Sequence, residues 1–100
     1  MNYCIFLGKI IIKPQPSLFD NDISLVEATV QFSNRWKKNS LDQLRIAVWG
    51  NLGKDLLKYY KVGDYILIEG SLSLRKSVSF VNDIEPELTV MKLYPFVLIE

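Results

Sequence analysis

The segment LRIAVWGNLGKDLLKYYKVGDYILIEG, residues 44–70, sets out a strand, a short helix, a tight turn and a second strand. At period two, Leu44, Ile46 and Val48 share one side of the first strand, with Arg45, Ala47 and Trp49 on the other. An all-aliphatic side belongs to a core, which leaves an indole ring outside beside a guanidinium. A large apolar ring on a sheet surface costs solvation unless it is covered, either by an unstacked nucleic-acid base or by a neighbouring subunit. Leu52, Leu56 and Tyr60 then recur at helical spacing with Leu57 alongside, which predicts a helix over 52–60 that Gly63 ends. Gly53 costs that helix about 1 kcal/mol relative to alanine, so it needs tertiary support.

On the N-terminal side, Asn2 to Lys13 reads as a long strand interrupted at Gly8 by a bulge or a bend. Tyr3, Ile5 and Leu7 alternate with Cys4 and Phe6, so both faces are apolar, as in a strand buried on two sides or at a subunit interface. Pro14 to Asp22 reads as a loop. From Leu25 to Arg35 the alternation is clean, with Val26, Ala28, Val30 and Phe32 inward. Trp36 to Asp42 is a polar hairpin loop carrying Lys37 and Lys38. On the C-terminal side, one strand runs from Tyr65 towards Phe80, placing Ile66, Ile68, Leu72, Leu74, Val78 and Phe80 on one parity, and Gly70 lets it curl. An acidic turn from Asn82 to Glu87 and a final strand from Leu88 to Tyr94 complete the chain, with Phe80 and Tyr94 assigned to the core.

The 100 residues make one domain, residues 1–100. Apolar residues form 49% of the chain and charged residues 23%, an ordinary globular balance, and the longest apolar runs are far shorter than the roughly 20 residues of a membrane span. No signal for export opens the sequence. The single cysteine, Cys4, has no internal disulfide partner, and its apolar neighbours favour a packed thiol. The net charge of +1 is neutral on nucleic acid, because phosphate binding depends on where cations sit. Catalysis has little foothold, since the chain lacks histidine and no base stands beside its cysteine. No Cys/His cluster suits zinc, and Asp20 with Asp22, or Glu85 with Glu87, read as solvated loop acids. We therefore expect no enzyme, cofactor, metal or small-molecule substrate.

Several strands with one helix between the third and fourth match an all-β, five-stranded Greek-key barrel, the OB-fold, whose function sits on one outer face. Along nearly its whole length the chain resembles the DNA-binding domain of bacterial-type single-stranded DNA-binding proteins. The residues that carry the likeness are Asn2 to Lys9, Trp36, Arg45 to Gly50, Tyr59 to Gly70, and the basic pair Arg75-Lys76. Their order and spacing together are more specific than any one of them. The family's further stacking tryptophan falls at Gln43 and its aromatic after the basic pair at Ser77, so half of the usual stacking platform is missing. The chain is most similar to short, tail-less members, such as those of cyanobacterial and plastid lineages or the primosomal accessory protein.

The resemblance implies a partner, single-stranded DNA, bound with little sequence preference during replication, recombination or repair. Trp49 and Arg45 lead the candidate contacts, the first by stacking and the second on phosphate or base. Trp36 shares parity with Phe32 and is either core or a second stacking ring. Lys37 and Lys38 are solvated loop charges or phosphate contacts. Arg75 faces outward on a serine-lined side, Lys76 lies on the inward parity of that strand, and Lys9 is within reach of the same groove. Two stacking rings are marginal in a monomer, so a dimer or tetramer through Asn2 to Gly8, with the tail Leu93 to Ile99, is expected. The place of action implied is the bacterial cytoplasm and nucleoid or the plastid stroma. Two alternatives stay open: an OB-fold protein–protein interaction module of a larger complex, and an RNA-binding OB protein.

Overall fold

The computed structural model describes residues 2–19, 22–32, 42–76 and 84–97. Five strands and one helix follow in the order β1 (Cys4–Phe19), β2 (Asp22–Gln31), β3 (Gln43–Trp49), α1 (Gly50–Tyr59), β4 (Tyr65–Lys76) and β5 (Ile84–Phe96). The sheet closes on itself as β1-β2-β3-β5-β4, every neighbouring pair antiparallel except β3 with β5. Closure leaves the barrel wall itself without an unpaired edge, and a closed five-stranded barrel with its helix after the third strand is the OB architecture.

The inward parity read from the sequence fills the barrel. Val26, Val30, Ile46, Val48, Ile66, Ile68 and Leu88 are wholly buried, and Leu56 of α1 plugs one end. Each such side chain contributes roughly 1.5–3 kcal/mol of burial free energy, which holds together a domain of this size. Gly53, a weak helix former, is what lets α1 settle on the barrel: a Cβ there would stand 2.5 Å from the Val48 carbonyl oxygen and 3.0 Å from a Val26 methyl. Gly63, at φ 98°, makes the turn into β4, and its N–H donates to the Ile10 carbonyl at 2.8 Å.

Several expectations give way here, each for a local reason. Pro14 to Phe19 is strand rather than loop, because β1 has left β4 after Lys9 and pairs only with β2; its outer side therefore needs no N–H donor. Gly8 is no bulge but stays in register with Ile66, and its missing side chain makes room for Val30. The irregularities of β1 lie instead between Ile10 and Ile12 and between Ile12 and Gln15. Pro86 and Glu87, expected in a turn, belong to β5, which begins at Ile84. Tyr94 is 44% exposed rather than core, since β5 carries an extra residue, Met91, between the partners of Gly70 and Glu69 and so changes parity. Gly70 is where that bulge sits; a Cβ there would overlap the Thr89 carbonyl. Leu74, also expected inward, is 73% exposed, because β4 beyond Gly70 has run past the barrel's end. Before it leaves, the Asn2 carboxamide accepts from the Leu72 N–H at 2.9 Å and donates to the Leu72 carbonyl at 2.6 Å. Val78 and Phe80, given a parity from the sequence, lie outside the described residues, as do residues 33–35 at the end of the alternating run.

Candidate nucleic-acid interface

Strict alternation in β3 turns Gln43, Arg45 and Trp49 to solvent while Leu44, Ile46 and Val48 go into the core. Ala47 breaks the pattern by being buried on the outward parity. It sits in register between Glu27 of β2 and Thr89 of β5, whose longer side chains rise around it. Trp49 is 54% exposed, at the end of β3 opposite Leu25. Its extended backbone caps α1, and its side chain makes no capping hydrogen bond. Four residues of strand separate it from Arg45, about 13 Å along one face.

Around Arg45 the barrel register lines up Ile12, Thr29, Arg45, Glu87 and Ser73 across all five strands. Successive strands lie about 4.8 Å apart, so this ledge is about 19 Å wide. A depression of about 290 Å³ opens on it between Ile12, Lys13, Gln15, Glu27 and Arg45. A second of about 320 Å³ adjoins it, reaching Gln43 and Pro86. The charges are mixed: Lys13 and Arg45 are cationic, and Glu27 and Glu87 stand beside them. Arg45, Glu27 and Glu87 each make a polar or electrostatic contact, and Glu87 stands in register with Arg45, which offsets part of its field. An apolar floor with exposed amide, hydroxyl and guanidinium groups suits a flat ring and a nearby anion better than it suits chemistry. Among the described residues no group of three His, Cys, Asp or Glu could hold a metal ion.

Of the residues singled out from sequence, Trp49 and Arg45 share this face. Lys9 is turned towards β4, its ammonium 5.9 Å from the centre of the Tyr65 ring. Arg75 and Lys76 have their backbones opposite Glu85 and Ile84, two and three residues beyond Ser73 of the ledge. Trp36, Lys37 and Lys38 lie outside the described residues. Lys13, Gln15 and Ile12 belong to the site without having been picked. Their only signal in the sequence was the clustering of Ile10, Ile11 and Ile12 before Lys13, because the β1 irregularity that turns Ile12 and Lys13 outward leaves no residue signature.

A second outer face differs in kind. Tyr3, Ile5 and Leu7 are 56%, 59% and 43% exposed, and the Tyr3 hydroxyl donates to Glu69 Oε2 at 2.7 Å. That hydrogen bond to a carboxylate is the main reason the Tyr3 pKa rises above the ordinary phenol value. Cys4 and Phe6, on the opposite parity, pack against the core.

The profile of the single-strand binding protein family matches residues 1–91. The chain is 39% identical over 103 residues to ycf41 of Trieres chinensis, provisionally named a single-stranded DNA-binding protein, covering 98% of this chain and 91% of that one. Among solved structures it is similar to the SSB domain of a Synechococcus sp. protein, with a TM-score of 0.75, 25% identity and 94% of each chain covered. It also superposes on a small single-stranded DNA-binding protein from Streptomyces coelicolor, with a TM-score of 0.78 over 95% of this chain and 94% of that one; at 13% identity this likeness speaks for the fold.

Proposed function

Because the chain belongs to the single-strand binding protein family, we propose that it binds single-stranded DNA across the outer face of β2 and β3, with Trp49 stacking on a base and Arg45 and Lys13 meeting phosphates. The observation that carries this is the Trp49 ring, 54% exposed on the same outer side of β3 as Arg45 and about 13 Å along the strand from it. Base stacking tolerates any sequence, since every base has a π-face, so binding is non-specific. Trp36, Lys37 and Lys38, which follow β2 in the chain, and Arg75 and Lys76 at the end of β4 extend the set of strand-binding residues. Lys9 is left out of it, because its ammonium sits over Tyr65. The protein works by covering and organising exposed strands in replication, recombination or repair, and not by catalysis.

One face with one described stacking ring grips weakly, and assembly multiplies it. Cys4 to Gly8 pair with β4, and among the described residues their ladder with β2 starts at Lys9. The exposed Tyr3, Ile5 and Leu7 side chains on this stretch support a dimer or tetramer built through Asn2 to Gly8. The site of action we propose is the bacterial cytoplasm and nucleoid or the plastid stroma. No helix among the described residues is long and apolar enough to cross a membrane.

The carboxylates of Glu27 and Glu87 beside Arg45 favour a second reading, a barrel whose ledge receives a protein partner in a larger complex. Titration of oligo-dT and oligo-rU with the full chain over a salt series separates these cases. Quenching of tryptophan fluorescence with affinity that falls as salt rises supports strand binding. Tighter binding of oligo-rU would move the function to RNA, and no binding of either oligomer at low salt would leave the protein partner.

A further inference from the structure

We propose that the cleft at the C-terminal end of α1 is a second binding site, which takes an arginine side chain from a basic segment of a protein partner. The cleft has a volume of about 410 Å³ and lies between α1, the turn before β4 and the end of β5. Tyr59, Tyr60, Tyr65 and Phe96 supply aromatic walls, and the charged residues of its described lining, Asp55 and Asp64, are both acidic. Cations over tyrosine faces are attracted by the ring quadrupole, and guanidinium also stacks on them. The rim already shows this preference: Lys58 Nζ lies 5.2 Å from the centre of the Tyr59 ring, and Lys9 Nζ 5.9 Å from that of Tyr65.

Two further observations give the cleft its sign. Tyr59 and Tyr60, where α1 ends, both line it, so the negative end of the helix dipole lies beside it. The Tyr60 hydroxyl has its pKa raised, first by burial and then by Asp55 and Asp64, so both carboxylates act on the same space. Asp64 is fixed there by accepting the Lys61 N–H at 2.9 Å. A phosphate chain is repelled by such a place, which separates it in chemistry from the ledge around Arg45, whose lining it does not share. A planar cation on an aliphatic stem is what combines charge complementarity with the apolar lining of Leu52, Leu93 and Pro95.

The test is a titration of the isotope-labelled full chain, followed by amide chemical shifts, with the peptide acetyl-Gly-Leu-Arg-Leu-Gly-amide and its counterpart carrying uncharged citrulline in place of arginine. The arginine peptide is expected to give saturable shifts at Tyr59, Tyr60, Asp64 and Tyr65, and the citrulline peptide to bind at least fivefold more weakly. Asp55→Asn, on the exposed side of the helix, should weaken the arginine peptide at least threefold and leave oligo-dT affinity unchanged; Tyr59→Ala serves as the second variant. No saturable shifts, equal binding of both peptides, or shifts centred on Trp49 and Arg45 would overturn the proposal. The oligo-dT arm reports separately on the ledge.

Discussion

Replacing Trp49 with alanine removes the ring on which strand binding rests while touching little else. Somewhat under half of the side chain is covered, and the indole, a donor only, accepts nothing from the first N–H groups of α1. With about 100 Å² of ring surface at stake, the loss of folding stability is on the order of 2 kcal/mol, which a urea titration of the variant would show as a shifted midpoint with an unchanged slope. The loss in binding is separate. A base stacked on an aromatic ring is worth about 1–3 kcal/mol, so the dissociation constant for oligo-dT should rise roughly 5- to 140-fold. Trp49→Phe keeps a π-face and should lose well under half of that free energy. Fluorescence anisotropy of labelled oligo-dT, with the protein confirmed as folded, measures both variants. Because every phosphate-binding cation stays in place, the dependence of log K on log salt should keep its slope in each. Wild-type affinity in Trp49→Ala, or equal losses in Trp49→Ala and Trp49→Phe, would refute the stacking role.

Arg45→Gln is expected to do the reverse, lowering the salt slope by about 0.7, the share of one neutralised phosphate on a single strand; an unchanged slope would assign Arg45 to its carboxylate neighbours alone. Gly53→Ala gains about 1 kcal/mol of helix propensity but forces a methyl against the Val48 carbonyl, so a net loss of about 1–3 kcal/mol is expected in urea unfolding, and a more stable variant would contradict the close packing of α1. Ile5→Glu places a charge on the exposed face of Tyr3, Ile5 and Leu7, and sedimentation velocity should show the assembly shift to monomer; an unaltered oligomer would place the interface elsewhere.

What the sequence made legible follows from whether local pattern and global wall agreed. In β2 and β3 they agree: Val26, Ala28, Val30, Leu44, Ile46 and Val48 alternate without interruption, both strands have partners on each side, and every one of these is buried. The helix stripe was equally plain, although Gly53 looked like a defect and is a packing surface. Where strands bulge, parity fails, because one extra residue turns everything after it to the other side. Met91 sends Tyr94 out of the core in this way, and the β1 irregularity brings Ile12 and Lys13 to the ledge. Pro14 and Pro16 concealed a strand that has a single partner, where a missing N–H does no harm. In the candidate site, Trp49 and Arg45 were visible because they lie on the regular strand. The Glu87 carboxylate beside Arg45 was not, since pairing of β3 with β5 spans about forty residues and no local pattern announces it.

The double hydrogen bond from the Asn2 carboxamide to Leu72 is the last rung that ties β4 to the opening strand. Past it, among the described residues, the end of β4 and the beginning of β5 hold on to each other and to nothing else until β3 meets Glu87. A two-stranded ribbon by itself is barely stable in water, so the pairs Leu74 with Pro86, Arg75 with Glu85 and Lys76 with Ile84 lean on the tied wall behind them, and the Asn2 clamp sets where that wall ends.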